Sequence, residues 1–423
     1  MDTVITFRRW ARMHTYVLWS TTWRSRWILL SLAATVIGLV DLVRPAPKGL
    51  IIATAVLAAG LLIMEFIEHR RRFISTRFER RESDSFLDVR QSLKNDVRFQ
   101  VLDYANGTFI HDSHVSRLVL EGKLPARLLP ESQFVAPSEF KKLGERYLQD
   151  YLEKSRRDKR VVWDDPVLGW ASDVGRDGDF AIEEVGMLAG TFYQRIRTDD
   201  FALNDVLQAG GPNSKFGRQL FVNRRGQLRD FGSSWLLNGI GTSTLAFTRD
   251  GKLVVVEQSK KNSRSEGLFA PSGSGSLEPK DFHGSDFVDL ADLAAAGATR
   301  ELAEETGVLP QEVAATVFLG FGRWLNKAAC PELFTLTLLS IDSDELERRA
   351  IPAPDRTLVE RRLLCRLIGD PMQWDPNSPA DMLPDEFRGR MSLPLSAALS
   401  LLAIAAKQPD PHFAFDQWTS PAP

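Results

Sequence analysis

Two long apolar runs near the start of the chain, Trp27 to Val43 and Gly49 to Ile67, contrast with the alternating and amphipathic patterning of everything after them. Arg44-Pro-Ala-Pro-Lys48 separates the runs and cannot continue a helix. At about 1.5 Å per residue each run reaches roughly 25 to 28 Å, close to the hydrocarbon thickness of a bilayer. The pattern therefore predicts a two-helix transmembrane hairpin. A signal peptide would carry one apolar core followed by a small-residue cleavage site, whereas here a second core follows at once. From Glu68 to about Arg98 the chain is charged and free of proline, which predicts a helix leading out of the membrane. Phe140 to Leu152 has the spacing of a short amphipathic helix, while Ala181 to Arg197 and Gln219 to Val222 have mixed β-like character. Thr244 to Thr248 and Leu253 to Glu257 are β-rich runs around Arg249-Asp250-Gly251-Lys252, and Asp-Gly is a strong hairpin signal. Val313 to Phe321 and Leu333 to Ile341 predict further strands, and Pro394 to Lys407 a closing amphipathic helix.

Basic residues orient the expected hairpin. Arg8, Arg9, Arg12, Arg24 and Arg26 precede the first run, and Arg70, Arg71, Arg72, Arg77, Arg80 and Arg81 follow the second, against Arg44 and Lys48 between them. On the positive-inside rule both termini face the cytoplasm. Trp10, Trp19, Trp23 and Trp27 are placed to anchor the entering segment at the headgroups. The formal net charge of −2 gives no overall bias towards nucleic acid, and the local arginine run suits anionic lipid better than DNA. Cys330 and Cys365 are too few for a disulfide framework, and neither has metal-ligand company.

One stretch carries chemistry: Arg300-Glu301-Leu302-Ala303-Glu304-Glu305-Thr306-Gly307-Val308. On a helix, residues three and four apart share a face, so Glu301, Glu304 and Glu305 project close together. Such a concentration of like charge calls for a cation, and hard divalent ions take carboxylate oxygens while leaving positions open for phosphates. Ala295, Ala298 and Leu302 form a neighbouring stripe that can bury, Asp289 or Asp292 can serve the helix start, and Gly307 fits a terminal position of positive φ.

The string resembles the Arg-Glu-U-x-Glu-Glu-x-Gly-U half of the box of the Nudix hydrolases, where U is aliphatic. Leu268-Phe-Ala-Pro-Ser-Gly-Ser-Gly-Ser-Leu-Glu-Pro279 is similar to the family's glycine loop, with Gly275 as its second glycine and Glu278 as the loop acid. Pro331-Glu332-Leu333-Phe334 resembles a segment that precedes a central strand in longer members, although Ala329 and Cys330 stand where glycine and lysine are usual. The loop departs from the pattern. The family spaces its second glycine fourteen residues before the arginine, and an insertion around Lys280 to Asp289 lengthens that gap here. Counting back eight from Arg300 reaches Asp292 where the box has glutamate, with Asp289 an equal substitute. The resemblance implies that Glu301, Glu304 and Glu305 bind Mg²⁺ or Mn²⁺, that one of them deprotonates the attacking water, and that Arg300 holds a glutamate in position. It implies hydrolysis of a nucleoside diphosphate linked to another group.

These readings give an α+β chain: a Nudix α/β/α sandwich with a mixed sheet, preceded by an amino-terminal two-helix transmembrane hairpin and an uncharacterised middle region. The expected divisions are a basic juxtamembrane segment (1–26), the hairpin (27–67, with spans 27–43 and 49–67), the middle region (68–234), the Nudix domain (235–408) and a tail (409–423). For the middle region a sensor, an oligomerisation module and a spacer all fit. The combination resembles the two-transmembrane Nudix effectors of bacterial CBASS antiphage systems, in which a nucleotidyltransferase makes a cyclic oligonucleotide that switches on a partner effector. That resemblance implies an inner-membrane antiviral effector activated by a cyclic nucleotide, acting by hydrolysis or on the membrane itself. Its expected partners are the lipid bilayer, a nucleotide ligand or substrate, a functionally linked cyclic-oligonucleotide synthase and further copies of itself, with no nucleic acid. The alternative is a housekeeping membrane-tethered nucleoside-diphosphate pyrophosphatase.

Overall fold

A computed structural model describes Gly60 and residues 76–81, 86–130, 138–158, 160, 162–175, 184–208, 217–259, 267–352 and 359–407. In chain order its principal elements are β1 (Thr76–Arg80), α1 (Leu87–Lys94), β2 (Phe99–Tyr104), β3 (Gly107–Asp112), α2 (Ser113–Leu120), β4 (Pro125–Leu129), α3 (Ser138–Arg157), β5 (Pro166–Trp170), β6 (Val185–Thr191) and α4 (Phe192–Arg195). There follow β7 (Asn204–Gln208), β8 (Gly241–Phe247), β9 (Leu253–Gln258), β10 (Phe269–Pro271), β11 (Gly273–Ser276), β12 (Phe287–Asp289) and α5 (Leu290–Thr306). The chain then forms β13 (Val313–Trp324), β14 (Cys330–Leu339), α6 (Ser343–Glu347), β15 (Val359–Cys365) and α7 (Leu393–Ala405).

Among the described residues the strands form three sheets. The largest has nine strands in the order β10-β9-β8-β14-β13-β3-β2, with β11 also on β8 and β15 also on β9. It is mixed, because β14 runs parallel to β8 while β13 and β14 are antiparallel. Alternation along the strands gives it two apolar faces. Ala246 and Val254 pack with Leu302 of α5. Leu245, Phe247, Val255, Phe334 and Leu336 pack with Leu395, Leu399 and Leu402 of α7. The expected strands at 253–257 and 313–321 and the helix at 140–152 fall within β9, β13 and α3, and those at 244–248, 333–341 and 394–407 overrun β8, β14 and α7 by one or two residues.

Three expectations are corrected. The fold is a mixed α/β architecture of several sheets, and not an α/β/α Nudix sandwich behind a membrane hairpin. The strands beside α5 have a helix on each face, but their sheet continues through β3, whose Phe109–His111 segment pairs with Gly322–Trp324 of β13. That pairing is close because Gly322 has no side chain: a Cβ there would lie 2.1 Å from Cζ of Phe109. A second sheet, β12-β4-β6-β5, takes one strand from the loop before α5, and a third joins β1 to β7.

The second correction concerns location. The segments 27–43 and 49–67 lie outside the described residues, and among those that are described no helix is long and apolar enough to cross a membrane. A two-span protein of the inner membrane is therefore not what the structure shows. Third, the helix expected over 68–98 is interrupted by β1, held by antiparallel pairing of Thr76–Arg80 to Asn204–Gln208 and by Phe78 packing edge-on against Tyr147 and Phe201. Tertiary pairing here overrides a charged, helix-tolerant composition.

Candidate functional site

The acidic helix is built as its sequence suggests. Asp289 caps α5, its Oδ1 accepting from the Ala291 amide at 2.8 Å, and Gly307 ends the helix at φ 76°. Leu290, Leu293, Ala294, Ala298 and Leu302 bury their side chains. Ala295, expected in that stripe, is only half-buried, since Ala294 takes the inward position.

Strand β11 lies directly beneath the helix, paired to β8 with Gly275 opposite Thr242. Its glycines face α5. A Cβ on Gly273 would stand 2.8 Å from the Leu302 amide nitrogen, and one on Gly275 would stand 2.1 Å from Cδ of Glu301. At Gly273 the neighbours are backbone atoms, so glycine is required for strand and helix to approach this closely, whereas at Gly275 the neighbour is the end of the Glu301 side chain. Gly275 thus lies against Glu301, as its place in the loop motif suggests.

Arg300 organises the acids. Its Nε donates to Oδ1 of Asp281 at 2.8 Å and its Nη2 to Oδ2 of the same carboxylate at 3.0 Å, a two-pronged bond, while Nη2 also donates to the Ser276 carbonyl at 2.8 Å. Nη1 donates to Oε1 of Glu301 at 2.8 Å and lies 3.2 Å from Oε1 of Glu278 and 3.6 Å from Oε2 of Glu304. The acid that Arg300 grips two-fold is Asp281, while Asp289 caps the helix and Asp292 is an exposed first-turn residue. Asp281 is 3% exposed in its side chain. The signal was present in the spacing. A glycine fourteen before the arginine and an acid eight before it leave six between them, and six residues beyond Gly275 is Asp281. The insertion lies after the acid, so counting forward from Gly275 finds what counting back from Arg300 does not. Residues of that insertion form β12, which pairs with β4.

Electrostatics at this end of α5 are dominated by acid. Glu278, Asp281, Glu301 and Glu304 stand near two cations, Arg300 and Lys280, whose Nζ is 3.0 Å from Oε2 of Glu278 and 3.8 Å from Oε1 of Glu304. Burial pushes Glu301 up to about 7, although the charge and hydrogen bond of Arg300 pull the other way. Burial disfavours the Arg300 charge as well, but the Asp281 hydrogen bond and the surrounding carboxylates outweigh it and raise its pKa. Glu305 is buried, and its Oε2 accepts from the Ser274 amide at 3.1 Å.

Among the described residues no group of three or more His, Cys, Asp or Glu side chains is gathered as a cation cage. Glu301 is engaged by Arg300 and Glu305 by Ser274, which keeps their oxygens on different partners. The donor set nonetheless fits a hard divalent ion in kind, being all carboxylate oxygen with acids in excess of cations.

On its other face β11 presents Ser274 and Ser276. Ser274 Oγ lies 3.0 Å from Ser243 Oγ, which donates to Oε1 of the buried Glu332 at 2.7 Å. Glu332 also accepts from the Trp324 indole and lies 3.5 Å from Nζ of Lys327. Arg195, from the middle region, donates through Nη1 to Ser276 Oγ at 2.9 Å. Neither Arg195 nor Ser243 carries a motif signal, and only the fold brings them to the loop.

No family model and no curated protein matches the chain. Among solved structures, that of DR0079 from Deinococcus radiodurans is similar at 13% identity, covering 44% of this chain and 98% of that one, with a TM-score of 0.26. A likeness that weak carries no argument about fold or function.

Proposed function

We propose that the protein is a divalent-metal-dependent phosphoanhydride hydrolase acting on a nucleoside diphosphate linked to another group. The observation that carries the reading is Arg300 set among Asp281, Glu278, Glu301 and Glu304 over the glycine strand. Glu301, Glu304 and Glu305 would hold Mg²⁺ or Mn²⁺, which when bound supplies Lewis acidity towards a pyrophosphate and neutralises its developing charge. Asp281 fixes the Arg300 guanidinium, and Arg300 in turn fixes the Glu301 carboxylate. One of these three glutamates would take the proton from the attacking water. Ser274 orients Glu305 through its amide. An activating cyclic nucleotide and an antiviral setting, which the family resemblance implies, would place receipt of that signal in the middle region or in the cleft beside α5.

The test is the double substitution Glu304→Gln with Glu305→Gln, nearly isosteric and still able to accept the Ser274 hydrogen bond. Release of nucleoside monophosphate and sugar phosphate from a panel of nucleoside-diphosphate sugars should require Mg²⁺ or Mn²⁺ in the wild type and fall at least about 100-fold in the variant, with an unchanged circular dichroism spectrum. Undiminished hydrolysis by the variant, or wild-type hydrolysis indifferent to chelator, would sink the reading.

A further inference from the structure

A cleft of about 720 Å³ lies between α3, β1 and the turn that joins β13 to β14. None of Arg300, Glu301, Glu304, Glu305, Gly275 or Glu278 lines it. One wall is a single face of α3, where Tyr147, Tyr151 and Lys154 recur at helical spacing, and Arg80 of β1 adds a second cation. The facing wall carries Asn326 and Lys327.

The turn that supplies those two residues is held in an unusual backbone. Ala328 and Ala329, which follow directly, both have positive φ, at 57° and 58°, a conformation that residues with a Cβ rarely adopt. The Ala329 amide donates to the Trp324 carbonyl at 2.7 Å and Arg323 Nε to the Ala329 carbonyl at 2.9 Å, so the conformation is imposed from outside the turn. Oδ1 of Asn326 is buried and accepts no hydrogen bond. Ala328 and Ala329 are themselves fully buried, and the Asn326 side chain packs against Gly107 of β3, so the turn holds this wall of the cleft in place.

We propose that this cleft binds a nucleoside mono- or diphosphate, at a site separate from the acidic helix. Its volume falls within the usual range for small-molecule sites. Aromatic rings on α3 suit a base, and Arg80 and Lys154 suit phosphate oxygens, while Lys327 is engaged by Glu332. Asp150 and Asp158 on the same wall keep the cleft from a strong positive charge, which favours a ligand with few phosphates and with hydroxyl or amino donors over a polyanion. The inference stands independently of the hydrolase reading.

The test is equilibrium binding of ADP, GDP, CDP and UDP to the full chain in EDTA, which denies the acidic helix any divalent ion. At least one should bind, more tightly than inorganic phosphate or the free nucleoside. Lys154→Glu and Tyr151→Ala should each weaken it at least tenfold, and Glu305→Gln should leave it unchanged. The proposal is overturned if no nucleotide binds to folded protein, if neither cleft variant weakens binding, or if Glu305→Gln abolishes it. Inorganic phosphate matching the best nucleotide would overturn the assignment of a base to the aromatic wall.

Discussion

On the helix side of β11, Gly273 and Gly275 meet Leu302 and Glu301, whereas on the opposite side Ser274 and Ser276 bond to Ser243 and Arg195. The first set of contacts joins residues within thirty positions of one another, and their spacing is a property of one strand and one helix. The second joins β11 to residues 31 and 81 positions away. The same four-residue strand thus has one face fixed by local geometry and another fixed by the path of the whole chain. The chemistry of carboxylates lies on the first face, and the attachment of the loop to the rest of the protein lies on the second.

The sharpest way to break this contrast is to remove the cation on the local face. Arg300→Met would leave Asp281, 3% exposed, with Glu278 and Glu301 close by and no guanidinium between them. Stripping one partner from a buried ion pair costs about 3 to 5 kcal/mol. Urea unfolding at pH 7 should show a loss of that order, and Arg300→Lys should recover only part of it, since a lysine keeps the charge but not the fork. A loss under about 1 kcal/mol would mean that the acids are solvated and that Arg300 does not organise them.

That division also explains how much could be read from sequence. Arg300, Glu301, Glu304, Gly275 and Glu278 converge because a helix period and a strand period are enough to place them. Asp281 was legible only by counting from the glycine, since the insertion that forms β12 breaks the count from the arginine. The extension of the sheet by β2 and β3 was not legible, because β pairing across more than 200 residues leaves no local trace. The strand β1 was hidden for the same reason, its partner β7 lying over 120 residues on. Apolar length and positive-inside charge predicted two membrane spans, yet no helix among the described residues has the length and apolarity to cross one.

The two glycines separate packing from chemistry within the local face. In Gly273→Ala the new methyl meets the Leu302 amide nitrogen and, at 3.0 Å, its Cα, backbone atoms that cannot turn aside. The helix must back away, and a loss of about 1 to 3 kcal/mol is expected in thermal or denaturant unfolding. In Gly275→Ala the methyl meets the end of the Glu301 side chain, which can swing. Stability should change by less than about 1 kcal/mol, whereas hydrolysis should fall at least about tenfold because Glu301 leaves Arg300. Equal destabilisation by the two substitutions would show that the Glu301 carboxylate is as fixed as backbone.

Ser276→Ala probes the other face and should have the smallest effect on hydrolysis. It removes the acceptor of Arg195 Nη1, on a side chain only 6% exposed whose Nε already lacks a partner, and costs about 1 to 2 kcal/mol. The Ser276 carbonyl that accepts from Arg300 is backbone and survives the change, so the acids should keep their arrangement. Hydrolysis should stay within about twofold of wild type, since no atom of the local face has moved. If activity instead drops as in Gly275→Ala while unfolding is little changed, the two faces of β11 are coupled, and Arg195 of the middle region becomes a positioning residue for the acidic helix.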